Sequence, residues 1–263
     1  MDEAGIRLTG FFGVLLIMAL WERLAPRKQR VDALSRRWKD NLGLVAADTL
    51  VVRLLIPVLP VSLAVAAAQN GWGLLNYMDL PSPVSWIITI MVLDLIIYLQ
   101  HVLFHFLPVL WRLHKVHHSD LDIDVTTGVR FHPFEILISM GIKLVAVAAF
   151  GFPAGAVLLF EMVLNAASLF NHANVYIPLK LDRIIRLLIV TPDMHRVHHS
   201  VIMEESDRNF GFSLSWWDRL FATYQAQPSA GHDGMTIGLA DIRRPNSFLR
   251  LLIMPFVRPG SSP

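Results

Sequence analysis

The residues that could do chemistry here are histidines. Of eleven in the chain, ten fall between residues 101 and 199. Eight of them form three groups, His101-x3-His105, His114-x2-His117-His118 and His195-x2-His198-His199. Residues at i, i+3 and i+4 share one face of an α-helix, so each group can aim its imidazoles at a common centre. That is metal-ligand spacing. The second and third groups are near copies, His-Lys-Val-His-His-Ser and His-Arg-Val-His-His-Ser. With His132 and His172 the set reaches ten imidazoles, too many for one tetrahedral zinc and suited to two metals with about four or five ligands each. Imidazole accepts Zn, Cu, Fe and Ni, so ligand type alone does not choose the metal.

Two helices entering the site add polar stripes. Asp94, Tyr98, His101 and His105 lie at i, i+4, i+7 and i+11, within about 60° of one another at 100° per residue. Glu161, Asn165, Ser168 and His172 repeat the spacing. A carboxylate in a membrane helix is costly and marks function. Asp94, Glu161 and Asn165, with Glu135 after His132-Pro133, are therefore candidates to hold the free N–H of ligating imidazoles. Glu135 equally suits a helix N-terminus, Tyr98 is expected to pack against a neighbouring span, and His232 sits in a loop signature outside the site.

The positioning elements are membrane helices. Hydrophobic residues make up 54% of the 263 and charged ones 17%, against roughly 25% in a soluble domain; mean hydropathy is +0.49. A span needs roughly 20 mostly apolar residues. Five stretches come near this: 6–21, 44–68, 84–105, 134–150 and 154–170. The first has an acidic start and no small-residue cleavage site after it, so an uncleaved span is expected. The second holds Asp48, Arg53, Pro57 and Pro60 and should kink. Gly151-Phe152-Pro153 reads as a tight hairpin between the last two. Seven basic residues (Arg23, Arg27, Lys28, Arg30, Arg36, Arg37, Lys39) lie between the first two spans and none in 69–83, which places the first loop, and with it every clustered histidine, on the cytoplasmic side. Residues 177–190 and 248–257 are expected to lie in the interface, Trp216 and Trp217 at headgroup level, and 258–263 to fray.

The net charge of +2 is spread over short loops, so no nucleic-acid face is expected. With no cysteine, thiolate zinc, iron–sulfur and thiolate-haem chemistry are excluded. A metalloprotease would want His-Glu-x-x-His, but Val102 follows His101. A transporter would place its ligands near the bilayer midplane. Metal-dependent oxidation of a lipid C–H bond at the interface is the simplest remaining chemistry. A non-catalytic histidine-rich metal-binding or metal-transport membrane protein, or a zinc-dependent membrane hydrolase, stays open.

From Asp94 to Tyr224 the chain resembles the fatty acid hydroxylase and sterol desaturase superfamily of integral membrane di-iron enzymes. The likeness rests on the three histidine boxes in order and on Leu110-Trp111-Arg112-Leu113, Phe131-His132-Pro133-Phe134-Glu135 and Asn171-His172-Ala173-Asn174. It continues in Thr191-Pro192, Asn209-Phe210-Gly211 and Trp217-Asp218-Arg219-Leu220-Phe221. The resemblance implies two iron ions held by His101, His105, His114, His117, His118, His195, His198 and His199, with His132 and His172 as further ligands. It implies dioxygen as co-substrate and hydroxylation or desaturation of an acyl chain, sterol or ether lipid. Val102 stands where many members have Arg, Ala222 where many have Gly, and Tyr176 where some have His. No fused cytochrome b5 domain or Gly-rich dinucleotide motif is present, so electrons come from an external donor (cytochrome b5-like, ferredoxin or reductase). Arg112, Lys115 and Arg196 are candidates to dock an acidic donor or anionic lipid. The expected fold is all-α: a multi-pass membrane helical bundle of about four to five spans with a cytoplasmic histidine-rich helical cap. It divides into an N-terminal transmembrane region 1–85, a di-iron domain 86–225 and a C-terminal tail 226–263.

Overall fold

The computed structural model describes residues 2–30, 33–242 and 244–257; the expected fraying of 258–263 lies outside them. Every regular element among these residues is helical, with three isolated β-bridges between loops. Five stretches are long and apolar enough to cross a membrane, and the protein is an integral membrane helical bundle. Helix α1 (Glu3–Leu24) starts at Asp2, whose carboxylate accepts from Gly5 N at 2.9 Å. Helix α2 (Leu34–Leu55) and α3 (Pro60–Asn70) form the second apolar stretch. The expected kink is a complete break: Pro57 holds Ile56 extended, and Pro60 restarts the helix at its first position, where no N–H is missed.

Helix α4 (Ser82–Phe106) is followed directly by α5 (Pro108–His118). Pro108 keeps Leu107 extended, so α5 folds back on α4 and the two histidine groups face each other. Helices α6 (Pro133–Phe150) and α7 (Ala154–Asn171) form the expected hairpin. It turns at Gly151, whose φ of 64° and approach to Trp72 O leave no room for a Cβ. At 18 residues each is about 27 Å long, close to the roughly 30 Å hydrocarbon core.

Short helices α8 (Leu179–Ile185), α9 (Pro192–His198), α10 (Met203–Ser206), α11 (Trp216–Leu220) and α12 (Gly231–Gly234) build the cap. Around α8, Leu181, Ile184, Leu187 and Leu188 are exposed while Asp182 and Arg186 pair inside, the distribution expected of an interfacial helix. The last helix, α13 (Phe248–Ile253), is docked more firmly than its sequence implies. Leu251 is fully buried with Leu44 and Val116, and Phe248 N donates to Asp40. Residues 236–238 also pair with the chain after α9, Gly238 N donating to His199 O at 3.0 Å, so the C-terminal segment closes the cap.

The basic loop after α1 is tied to the cap. Arg27 holds Asp193 at 3.0 Å, and Arg37, buried in α2, grips Asp120 at 2.8 Å as well as Asp124 and Thr127. Arg130 donates to Asn41 at 2.7 Å and to Val116 O at 3.0 Å. This network fixes residues 119–130, which connect α5 to α6. Arg37→Met is therefore expected to cost about 3–5 kcal/mol, because two buried carboxylates lose their cation. The check is a melting temperature measured on protein purified in parallel with wild type.

Candidate metal centre

Nine of the ten sequence-identified histidines come together at the cap end of the bundle. His101, His105, His114, His118 and His198 form one group, and His117, His172, His195 and His199 a second. Within each group one nitrogen per ring lies within 4.8 Å of all the others. Helix α4 supplies two of the rings, α5 three, α9 and its cap three, and the residue after α7 one. Pro192 at the first position of α9 and the Thr191 hydroxyl, which accepts from Met194 N at 3.3 Å, start that helix where its rings must point.

Most rings are oriented through Nδ1. That atom lies 2.8 Å from Phe210 O in His101 and 2.8 Å from Arg208 O in His198; it is 3.3 Å from Arg130 O in His117 and 2.7 Å from Ser168 O in His172. Carbonyl oxygens only accept, so in these four rings Nδ1 carries the proton and Nε2 a free lone pair. Carboxylates do the same for His114 (Glu135 Oε1, 2.7 Å) and His105 (Asp207 Oδ1, 3.2 Å).

The Nε2 atoms then meet each other: His101 and His114 at 3.1 Å, His105 and His118 at 3.2 Å, His117 and His172 at 3.1 Å, His172 and His195 at 3.0 Å. Where both Nδ1 atoms are protonated, as in His117 and His172, two lone pairs confront each other without a proton between them. A cation resolves that repulsion. His198 Nε2 and both nitrogens of His199 are buried without a partner, the same signature of ligands aimed at an ion. Burial pushes the cap imidazoles well below their ordinary value, His114 to about 3 and His172 to about 4, which keeps them neutral as metal ligands must be. The donor set, all imidazole and in two groups, fits two transition-metal ions.

The remaining sequence candidates are placed elsewhere. His132 stands outside both groups: its Nδ1 accepts from Phe134 N at 3.2 Å, capping α6, and its Nε2 donates to Leu252 O at 3.1 Å. Asp94 accepts from Leu214 N (3.2 Å) and Trp217 Nε1 (2.9 Å), so it anchors the cap loop. Glu161 pairs with Arg7 at 2.6 Å and Lys143 at 2.7 Å. Asn165 lines a cavity beside it. Glu135 alone of the four touches a clustered imidazole. Tyr98 packs, stacked on Phe221 at 5.3 Å. His232 is buried near Asp193, outside both groups. Arg196 is buried with its guanidinium on Asn174, so it offers no docking surface.

Sequence reasoning missed Asp207 and the carbonyls that orient the rings, and left Asp218 without a role. Asp218 accepts from Phe210 N and Gly211 N, both at 2.8 Å, and from the Thr223 hydroxyl at 2.7 Å. It thereby fixes the carbonyl under His101. A Cβ on Gly211 would strike Asp218 at 2.5 Å, and Asn209, at a φ of 53°, holds its turn by donating to Met194 O and Gln225 O.

Below the clusters a cavity of about 500 Å³ runs between α1, α2, α4, α6 and α7. His101 and His114 line it together with Phe11, Phe12, Ile136, Met140 and Leu164, and Arg7, Lys143 and Glu161 also border it.

The fatty acid hydroxylase family profile matches residues 86–223, half of the chain. Ornithine lipid hydroxylase of Rhizobium tropici is 28% identical over 95% of this chain and 75% of its own length. Human alkylglycerol monooxygenase is 29% identical over 63% of this chain, and that of Caenorhabditis elegans 27% over 59%. The matches span about a third of those two longer proteins, 36% and 30%. No solved structure gives a significant match. The chain belongs to the fatty acid hydroxylase family and is, on that membership, an oxygen-dependent lipid hydroxylase held in the membrane.

Proposed function

We propose that the two histidine groups hold a pair of iron ions and that the protein hydroxylates a bilayer lipid, of the ornithine-lipid or alkylglycerol kind, admitted sideways into the cavity. The observation that carries this reading is the position of the imidazoles: two groups of buried lone pairs lie together, and His101 and His114 of the first group line a largely apolar cavity walled by the long apolar helices. Bound iron would supply the redox chemistry that dioxygen needs to attack a C–H bond.

The chain's own part is positioning. Phe11, Phe12, Ile136, Met140 and Leu164 offer the lipid an apolar wall. The Nδ1 partners Phe210 O, Arg130 O, Ser168 O, Arg208 O and Glu135 keep the rings from turning, and burial of both groups keeps bulk water away. The basic loop after α1 lies against the cap through Arg27 and Arg37, and the positive-inside rule supports a cytoplasmic site. Electrons would come from an external cytochrome b5-like protein, ferredoxin or reductase. Arg112 and Lys115 on α5 are the basic residues left to meet it.

The test is turnover by iron-loaded protein in vesicles of its own membrane lipids, with a chemical reductant and isotopically labelled dioxygen. One labelled oxygen atom in a lipid product, absent without either reductant or oxygen, is expected. Product formed without oxygen would favour a hydrolase and overturn the reading.

A further inference from the structure

One wall of the cavity is polar. On α7, Glu161 and Asn165 stand one turn apart, and on α6 Lys143 and Ser139 do the same; all four border the cavity. Lys143 Nζ donates to Glu161 Oε1 at 2.7 Å and Arg7 Nη2 to Glu161 Oε2 at 2.6 Å, so the two pairs are joined from helix to helix. Lys143 and Glu161 each lie about 10 Å from the hairpin end of their helix and about 15 Å from its cap end. That is the interior of the bilayer.

An acyl chain would leave this wall unmet. Asn165 is exposed, and neither its amide nor the Ser139 hydroxyl makes a hydrogen bond among the described residues. Arg7 and Lys143 carry five and three N–H groups, of which carboxylates meet three. Free donors are costly in hydrocarbon, and ionisable groups at this depth mark substrate paths. The charges, in contrast, are matched: Glu161 and Glu3 answer Arg7 and Lys143. Glu135 lies about 12 Å nearer the cap along α6, where it holds His114, and Asp48 stands within its reach. A ligand that fits the wall therefore brings lone pairs and no net charge. Hydroxyl, ester and amide oxygens do so, whereas an ammonium would face two cations.

We propose that Lys143, Asn165 and Ser139, with the Arg7–Glu161 pair, receive an uncharged oxygen-bearing group of the lipid, which enters the cavity polar group first. Its hydrocarbon then stays toward Phe11 and Phe12 of α1. This rests on the lipid-hydroxylase reading and adds which end of the lipid is oxidised: the polar end, inside the cavity that His101 and His114 border, and not the chain terminus.

The test uses the full-length metal-loaded protein in amphipol, free of added lipid, with three probes of equal chain length: 1-hexadecanoylglycerol, hexadecylamine and hexadecane. At saturation the glycerol ester is expected to raise the melting temperature by about 4 °C or more beyond either other probe. Asn165→Leu, which breaks no side-chain bond in the protein, should erase most of that difference with metal content unchanged. Should that variant fail to fold, Lys143→Met, which leaves Arg7 on Glu161, decides by the same loss. Equal shifts from hexadecane or hexadecylamine, or an undiminished ester shift in a folded variant, would overturn the proposal. Labelled oxygen in the glycerol or on carbons beside the ester agrees with it, and labelled oxygen at the chain terminus contradicts it. An ester-specific shift without hydroxylated product would count against the hydroxylase reading alone.

Discussion

The double replacement His117→Ala/His198→Ala is expected to abolish lipid hydroxylation and metal retention together, because it removes one imidazole from each group. Losing a residue that merely supports a ligand costs about 10–100-fold, so losing two ligands should exceed about a thousandfold. His117 stacks on Phe131 at 4.6 Å and His198 donates to Arg208 O, so some stability is lost as well. Helical content by circular dichroism must therefore be shown to match wild type. His132→Ala is the internal control: its ring caps α6 and reaches Leu252 O, so this variant should keep its metal and lose only the stability of a cap, about 1 kcal/mol. A double variant that retains both metal and turnover would remove the two groups from the chemistry.

The second large effect is with acid. The cap imidazoles of His114, His117, His118, His172, His195, His198 and His199 are all held below their ordinary value by burial, reinforced in every ring but His114 by the neighbouring histidines. In the unfolded chain the same rings titrate near 6.5. Below that pH the unfolded state binds more protons than the folded one, so stability is complete above about pH 6.5 and falls as pH drops. By pH 5 each such ring contributes roughly 2 kcal/mol of lost stability. Seven acting together reach about 14 kcal/mol, near the top of the roughly 5–15 kcal/mol that holds a typical domain. Chelator-treated protein should therefore unfold cooperatively between about pH 6.5 and 5, well above the range in which carboxylates titrate. Circular dichroism against pH checks it, and a transition confined to below about pH 4 would mean the rings are not neutral in the fold.

Histidine spacing made the centre legible because three groups at i, i+3 and i+4 have few other uses on a membrane helix, and hydropathy made the spans legible for the same kind of reason. Periodicity gives direction around a helix but not depth along it. Glu161 shares a face with His172 yet lies 11 residues, about 16 Å, down α7, where Arg7 and Lys143 reach it instead. Asp94 lies 7 residues from His101 and meets the cap loop. Glu135 reaches an imidazole because α6 begins at the cap itself.

His132 shows the other gap. Its place next to Pro133 reads equally as ligand or cap, and only the orientation of α6 decides that its Nδ1 faces Phe134 N. Four rings are oriented by backbone carbonyls, which every residue has and no side-chain pattern can announce. Asp218 and Gly211 leave a trace in the sequence, but the reason for it, a carboxylate clamped on two adjacent N–H groups, depends on a turn that brings residues seven and eight apart into contact.

The central claim is that two groups of imidazoles hold two iron ions, and metal analysis tests it most directly. The purified full-length protein would be reconstituted anaerobically with ferrous iron, freed of unbound metal, and analysed for iron and zinc per chain alongside iron X-ray absorption. About two irons per chain, each in a shell of nitrogen and oxygen donors with imidazole scattering, is the expected result. Folded protein that keeps no stoichiometric metal after reconstitution would contradict it.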